Sequence, residues 1–540
     1  MRKLTLILFT AAACCLAALA DDGSHHDEVT LDQLGTVHFP VSCKPESQKN
    51  FEKGVALLHS FWYEESKNTF SELASHDPNC AMAHWGVAMS EWHELWDHPD
   101  AGTIKSASEE LRKAHKLSEK PGAVNDRERG YIAAADAFYS NSEKMDHEAR
   151  AHAYSSAMER VYQRYPDDHE AAAFYALSLL ASAPDNDTTF DNRKKAGTIL
   201  GKLFDIEPNH PGIAHYLIHA YDKPQLAQLG LPAARRYAAI APSAPHAVHM
   251  PSHIFARVGD WQASIKSNLA SIALTRKATE MKMGGGGHQF HAMDYLIYAY
   301  LQIGREADAW KVIEEVKKMP AMAMASHGND TQTFGLSKFP AMYALELHRW
   351  SDAAALPVID EATPEDRAYT YWAKAIGSVR SGNVPEAKKD LAEVVAIKKD
   401  ALEKKKSYIS DEAETYENEA SAWILLGEGK NDEAIAAMRK AADHEDAVGE
   451  EQTSMPAREM LADMLMEMKR PEQALAEYHA ALKLNPKRFD GLYGAGQAAE
   501  AAGQASRASE FYAALVKDCE GAGSARPELA RAKQSIVAEK

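Results

Sequence analysis

Histidines gather in this chain where metal chemistry would need them. The stretch PHAVHMPSHIFARVGDW, Pro245 to Trp261, places His246, His249 and His253 within eight residues. Upstream, NHPGIAHYLIHAYD holds His215 and His219, and adding 34 to each gives His249 and His253. Imidazoles four residues apart share one helix face, with Cβ atoms about 5–6 Å apart, and packed helix axes lie about 8–10 Å apart. Rings reaching in from two helices can therefore meet on one ion. Imidazole nitrogen suits zinc, copper and iron, with carboxylate or water filling the rest of the shell.

A third helix extends the register. Gly259 and Gly304 are 45 apart, and subtracting 45 from Asp294 and Tyr298 gives His249 and His253, while His291 falls on His246. The expected levels are His215/His249/Asp294 and His219/His253/Tyr298, with His246 and His291 at a third. The expected metal ligands are thus His215, His219, His249, His253, His291 and Asp294. His246 and Tyr298 join Glu91, His59 and His93, the last two also 34 apart, as residues lining a ligand groove. Trp62 and Tyr63 follow His59, and SEWHELWDHPD sets Trp92, Trp96 and His98 around His93, so the mouth also suits a planar or peptide ligand. A single groove histidine would be read as a hydrogen-bonding partner of a helix end. The repeated register favours a metal. Pro251 complicates it, since proline is comfortable only in the first turn of a helix and a restart there would displace His249 from His253.

The element that must position these rings is a helical hairpin repeat. In MPAREMLADMLMEMKRPEQALAEYHAALKLNP, Leu461, Ala462, Leu465, Ala474, Tyr478, Ala481 and Pro486 fall where the roughly 34-residue tetratricopeptide unit wants apolar, small, aromatic and terminating residues. Adding 34 gives Ala495, Gly496, Ala499, Ala508, Tyr512 and Leu515. The chain resembles the tetratricopeptide repeat superfamily, which implies an all-α fold, an α-solenoid of stacked hairpins with a concave groove. GAGQAA at Gly494 to Ala499 loosely fits a dinucleotide fingerprint, but no strand precedes it and the repeat explains its small residues.

Breaks divide the array. They fall at residues 97 to 126, at the Gly284 to Gly287 run, and from about Ala321 to Lys338. The expected organisation is a signal peptide over 1–20, a flexible segment over 21–45, a histidine-rich half over 46–325 and a C-terminal half over 338–540 ending in a capping helix. Only His348, His444 and His479 of the 24 histidines lie beyond residue 338.

Arg2 and Lys3, the apolar run Leu4 to Leu19 and the small-residue site Ala18-Leu19-Ala20 read as an export signal. Lipoprotein anchoring at Cys14 or Cys15 is the lesser alternative, and His25 and His26 sit in a solvated tail. Beyond the signal no stretch is apolar for long enough to span a bilayer. Cys43 and Cys80 can pair and leave Cys519 odd, or all three stay free and buried. Without Arg2 and Lys3, 58 basic residues face 78 acidic ones, so nucleic acid and anionic membrane are poor partners.

LLHSFWYEES at Leu57 to Ser66, DPNCAMAHWGVAMS at Asp77 to Ser90 and HMPSHIFARVGDW at His249 to Trp261 resemble a group of exported bacterial tetratricopeptide proteins. That resemblance implies fold and a periplasmic or extracellular location, and transfers no catalytic residue. Three functions remain open: a groove binding a peptide or small ligand through a transition metal, an enzyme using the same metal with Tyr298 or Glu91 as its acid, base or redox neighbour, and a metal-free protein-interaction scaffold.

Overall fold

The computed structural model describes residues 29–95, 98–184, 186–283, 286–319, 332–404, 406–449 and 453–538. The expected signal, Cys14, Cys15, His25, His26, Trp96, Gly284, Gly285 and most of the 321–338 break lie outside them. Helices follow one another in hairpin pairs, and no strand occurs among the described residues. Gln48–His59 with Tyr63–His76 opens the array, Phe489–Ala501 with Ala505–Asp518 closes it, and Pro527–Ala538 caps the end. The fold is an all-α solenoid of tetratricopeptide-like hairpins.

Local sequence explains the helix starts and the pair spacing. Asp100, Asp146, Asp168 and Asp260 each accept a hydrogen bond from the backbone N–H three residues on, which satisfies an otherwise orphaned helix donor. Small residues let the paired helices close: a Cβ on Gly494 would run into the Tyr478 ring, and one on Gly496 into Tyr512. The glycines of GAGQAA are therefore packing residues.

The solenoid winds back onto itself. Trp62 Nε1 donates to the Met283 carbonyl, Asn186 to Asp411, Lys223 to the Gly449 carbonyl, Trp261 to the Lys487 carbonyl and Ser524 to Glu306, at sequence separations of 221, 225, 226, 226 and 218. These contacts, between residues more than two hundred positions apart, seat one superhelical turn on the next. Buried groups stitch the turns. Arg488 donates to Tyr298, Glu346 and Glu459, and Asp294 accepts from Lys338 and Thr453. Burying these charges demands partners on both sides, so the halves on either side of residues 320–331 are held against each other.

The N-terminal segment expected to be flexible is pinned from Val29 onward. Leu34, Val37 and Phe39 are buried, and the Phe39 ring packs edge-on to Phe51 at 5.2 Å and against Tyr131 at 4.7 Å. Cys43 and Cys80 form a disulfide that fastens this strap to the Ala81–Met89 helix, while Cys519 is free and buried. Apolar residues at 34, 37, 39 and 41 supplied the anchoring that composition alone hid.

Candidate metal centre

Four helical segments bring six imidazoles together. His215 and His219 lie one turn apart on Pro211–Tyr221, a helix opened by Pro211 and capped by His210, whose Nδ1 accepts from the Ile213 amide. His246 and His249 lie on Pro245–His249, His253 on Pro251–Arg257, and His291 on His288–Gln302. Pro251 begins a new helical segment, yet Met250 before it keeps helical angles, φ −51° and ψ −35°. The chain runs on almost straight, so His249 and His253 stay on one face.

The rings sort into two trios. His215 Nε2 lies 3.0 Å from His219 Nε2 and 3.1 Å from His246 Nε2. His253 Nε2 lies 3.0 Å from His249 Nε2 and 3.4 Å from His291 Nε2. Within each trio one nitrogen from every ring falls within 4.8 Å of the others. The trios adjoin, with the His246 and His249 rings 6.1 Å apart.

The opposite ring nitrogens fix the tautomers. His215 Nδ1 donates to the His59 carbonyl at 2.6 Å, and a carbonyl can only accept. His249 Nδ1 donates to Asn268 Oδ1 at 2.7 Å, with that amide oriented by its own donation to the Ser264 carbonyl. His253 Nδ1 donates to Asp222 Oδ2 at 2.8 Å. Burial pushes the His215 imidazole down to about 3, and burial reinforced by neighbouring histidines holds His219, His246 and His249 well below the usual imidazole value. His215, His249 and His253 aim Nε2 inward with Nδ1 tied off, the arrangement that orients metal-binding histidines. At metal–nitrogen bonds of about 2.0–2.1 Å, separations of 3.0 to 3.4 Å subtend roughly 95–110° at the ion.

The remaining expected residues lie elsewhere. Asp294 takes no part in either trio; its carboxylate holds Lys338 and Thr453 at the seam. Tyr298 accepts from Arg488, and burial raises its phenol above the ordinary range. Glu91 pairs with Lys67 at 2.8 Å and accepts from Ser106. The His93 ring lies tilted against Tyr63 at 4.1 Å, half-buried and near His288. The working offset between the helices is 42, since His249 plus 42 is His291 and His253 plus 42 is Tyr295. A three-residue error moves the choice almost one turn along the helix, about 4.5 Å, where Asp294 meets Lys338 and Thr453 and Tyr298 meets Arg488.

His59 supports the site from behind. Its Nε2 lies 2.7 Å from Glu170 Oε2 and its Nδ1 2.8 Å from the Tyr216 hydroxyl, while His210 Nε2 donates to the other Glu170 oxygen. Burial opposes ionisation of Glu170, but the adjoining His210 and His59 outweigh it and hold the carboxyl low. With both ring nitrogens of His59 already bonded, this cluster reads as a clamp on the carbonyl that orients His215. The site is also less open than a groove: His215, His246, His249 and His253 are at most 8% exposed, and His219 and His291 are half-buried. Asn268, Asp222, Tyr295 and Phe61 escaped the sequence reading; only Asp222, directly after the second histidine turn, carried a signal there.

These features define a helical-repeat solenoid that holds a buried histidine-rich cluster. No family model matches the chain and no curated protein matches it. Among solved structures, the human IFIT1 dimer with m7Gppp-AAAA is similar at 13% identity and a TM-score of 0.34, covering 81% of this chain and 90% of that one. The P58(IPK) TPR domain is similar at 13% identity and a TM-score of 0.20, covering 92% and 99%. These likenesses extend to repeat architecture alone. No helix among the described residues is long and apolar enough to cross a membrane.

Proposed function

We propose that this chain is an exported metalloprotein whose two histidine trios each hold a transition-metal ion, zinc or copper, inside a tetratricopeptide-type solenoid. One observation carries the reading. A single lone pair on His215 Nε2 is approached by two imidazoles at 3.0 and 3.1 Å, and that crowding suits three lone pairs sharing a cation. The all-imidazole donor set matches zinc or copper better than iron, whose open non-haem sites use a carboxylate. The Cys43–Cys80 disulfide and the apolar N-terminal run support an oxidising, exported location.

Three imidazoles leave coordination positions open on each ion, so a metal-dependent enzyme is the second reading. It is favoured by the half-buried His219 and His291, which leave room for a small ligand to approach. A bound ion there would supply Lewis-acid or redox chemistry. Metal analysis of the purified chain tests the first reading. Two ions per chain are expected, falling to one in His215→Ala and to one in His249→Ala. Full retention by both variants, or no ion in the parent, would leave a metal-free scaffold.

A further inference from the structure

The halves of the centre are built alike and backed unlike. Each trio takes two histidines one turn apart and a third from beyond the next helix, Ala227–Ile240 in one case and Trp261–Glu280 in the other. Each is also covered by one aromatic ring. The His215, His219 and His246 ring centres stand 4.7, 4.9 and 6.3 Å apart, and Phe61 lies 4.3, 5.5 and 5.6 Å from them, which places it over the triangle. The His249, His253 and His291 centres stand 4.9, 4.7 and 5.4 Å apart, and Tyr295 lies over them at 5.3, 4.4 and 5.3 Å. Phe61 takes its place with φ at 53°, a left-handed angle unusual for a bulky side chain.

The chemistry behind the rings differs. His215 Nδ1 rests on a neutral backbone carbonyl, whereas His253 Nδ1 lies 2.8 Å from the Asp222 carboxylate and 3.0 Å from the Tyr295 hydroxyl. Arg257 holds the other Asp222 oxygen at 3.0 Å and so fixes the carboxylate's aim. A carboxylate behind an imidazole makes it the better donor and locks its orientation. The phenyl over the first trio can neither donate nor accept.

Resting on the metal-binding reading, we propose that the two metal positions are inequivalent: the His249/His253/His291 trio fills first and binds more tightly, with Tyr295 and Asp222 as positioning residues acting through His253. Titration of the metal-free full chain with Co²⁺, read by visible absorption and chelator competition, tests this. Two phases are expected, the tighter one lost in His249→Ala and kept in His215→Ala. Tyr295→Phe should weaken the tighter phase about tenfold and leave the weaker one in place; Asp222→Asn should do the same, and Phe61→Tyr should not. Circular dichroism and thermal unfolding of each metal-free variant establish that it is folded. Equal affinities in the parent chain, or a Tyr295→Phe effect spread over both phases, overturns the inference while the metal reading survives. Absence of any bound Co²⁺ overturns both.

Discussion

The Nε2 atoms of His249 and His253 lie 3.0 Å apart, while the far side of each ring is tied to a different acceptor, Asn268 for one and Asp222 for the other. Their facing nitrogens are thus held together by contacts that do not depend on what lies between them. A site preformed in this way binds ions preferentially in the folded state, so metal should stabilise the fold. At free metal a hundredfold above the dissociation constant, the gain is about 2.7 kcal/mol per site. Thermal unfolding should therefore move up on adding Zn²⁺ and back down with chelator. A midpoint indifferent to both would count against the centre.

The same burial predicts acid lability. His215 is pushed down to about 3, and His59, His219, His246 and His249 are also lowered, burial being the leading cause for each. In the unfolded chain these rings take up protons below about 6.5, and in the folded chain they resist. Unfolded molecules then bind more protons, so stability is complete above that value and drains away as pH falls toward 3. Each such histidine contributes a slope of up to about 1.4 kcal/mol per pH unit. Chemical denaturation of the metal-free protein at pH 7.5, 6 and 5 checks this, with the midpoint expected to fall more steeply from pH 6 to 5 than from 7.5 to 6. His249→Gln should flatten the slope.

Much of this site could be read from the chain because repeats convert spacing into position. The 34-residue step pairs His215 with His249 and His219 with His253, and all four fall in the two adjoining trios. The step fails at the next helix, where the hairpin is longer and the turn glycines no longer mark equal distances from the site. Asp294 therefore seemed a ligand, and Tyr295, one residue along, did not. The contacts that fix the tautomers were out of reach for a different reason. Asn268 reaches His249 from the Trp261–Glu280 helix, 19 residues on, through a polar pair no repeat rule marks; the His59 carbonyl comes from 156 residues away, and the strap around Phe39 is anchored by partners far away in sequence.

Gly212 offers a test that touches no ligand. A Cβ there would lie 2.6 Å from His59 Nδ1, the atom that meets the Tyr216 hydroxyl. Gly212→Ala must displace the His59 ring and with it the carbonyl that orients His215. Affinity at the His215 trio should drop by about tenfold, as for other losses of a supporting contact. The His249 trio should be untouched. A uniform change at both trios would show that His59 does not set the orientation of His215.

Asp294 and His291 separate a seam residue from a ligand on the same helix. Asp294 is fully buried and accepts from Lys338 at 3.0 Å and from Thr453 at 2.8 Å, so Asp294→Ala strands a buried ammonium between the two superhelical turns. Removing one partner of such a pair costs about 3–5 kcal/mol, and the unfolding midpoint should fall accordingly. The Asp294 carboxylate contacts Lys338 and Thr453 and belongs to neither trio, so the variant should still take up two ions when assayed cold and folded. His291→Ala should do the reverse, losing one ion with a smaller change in metal-free stability, because this half-buried ring leaves room for water. Loss of an ion from Asp294→Ala, with circular dichroism unchanged, would return that carboxylate to the coordination shell.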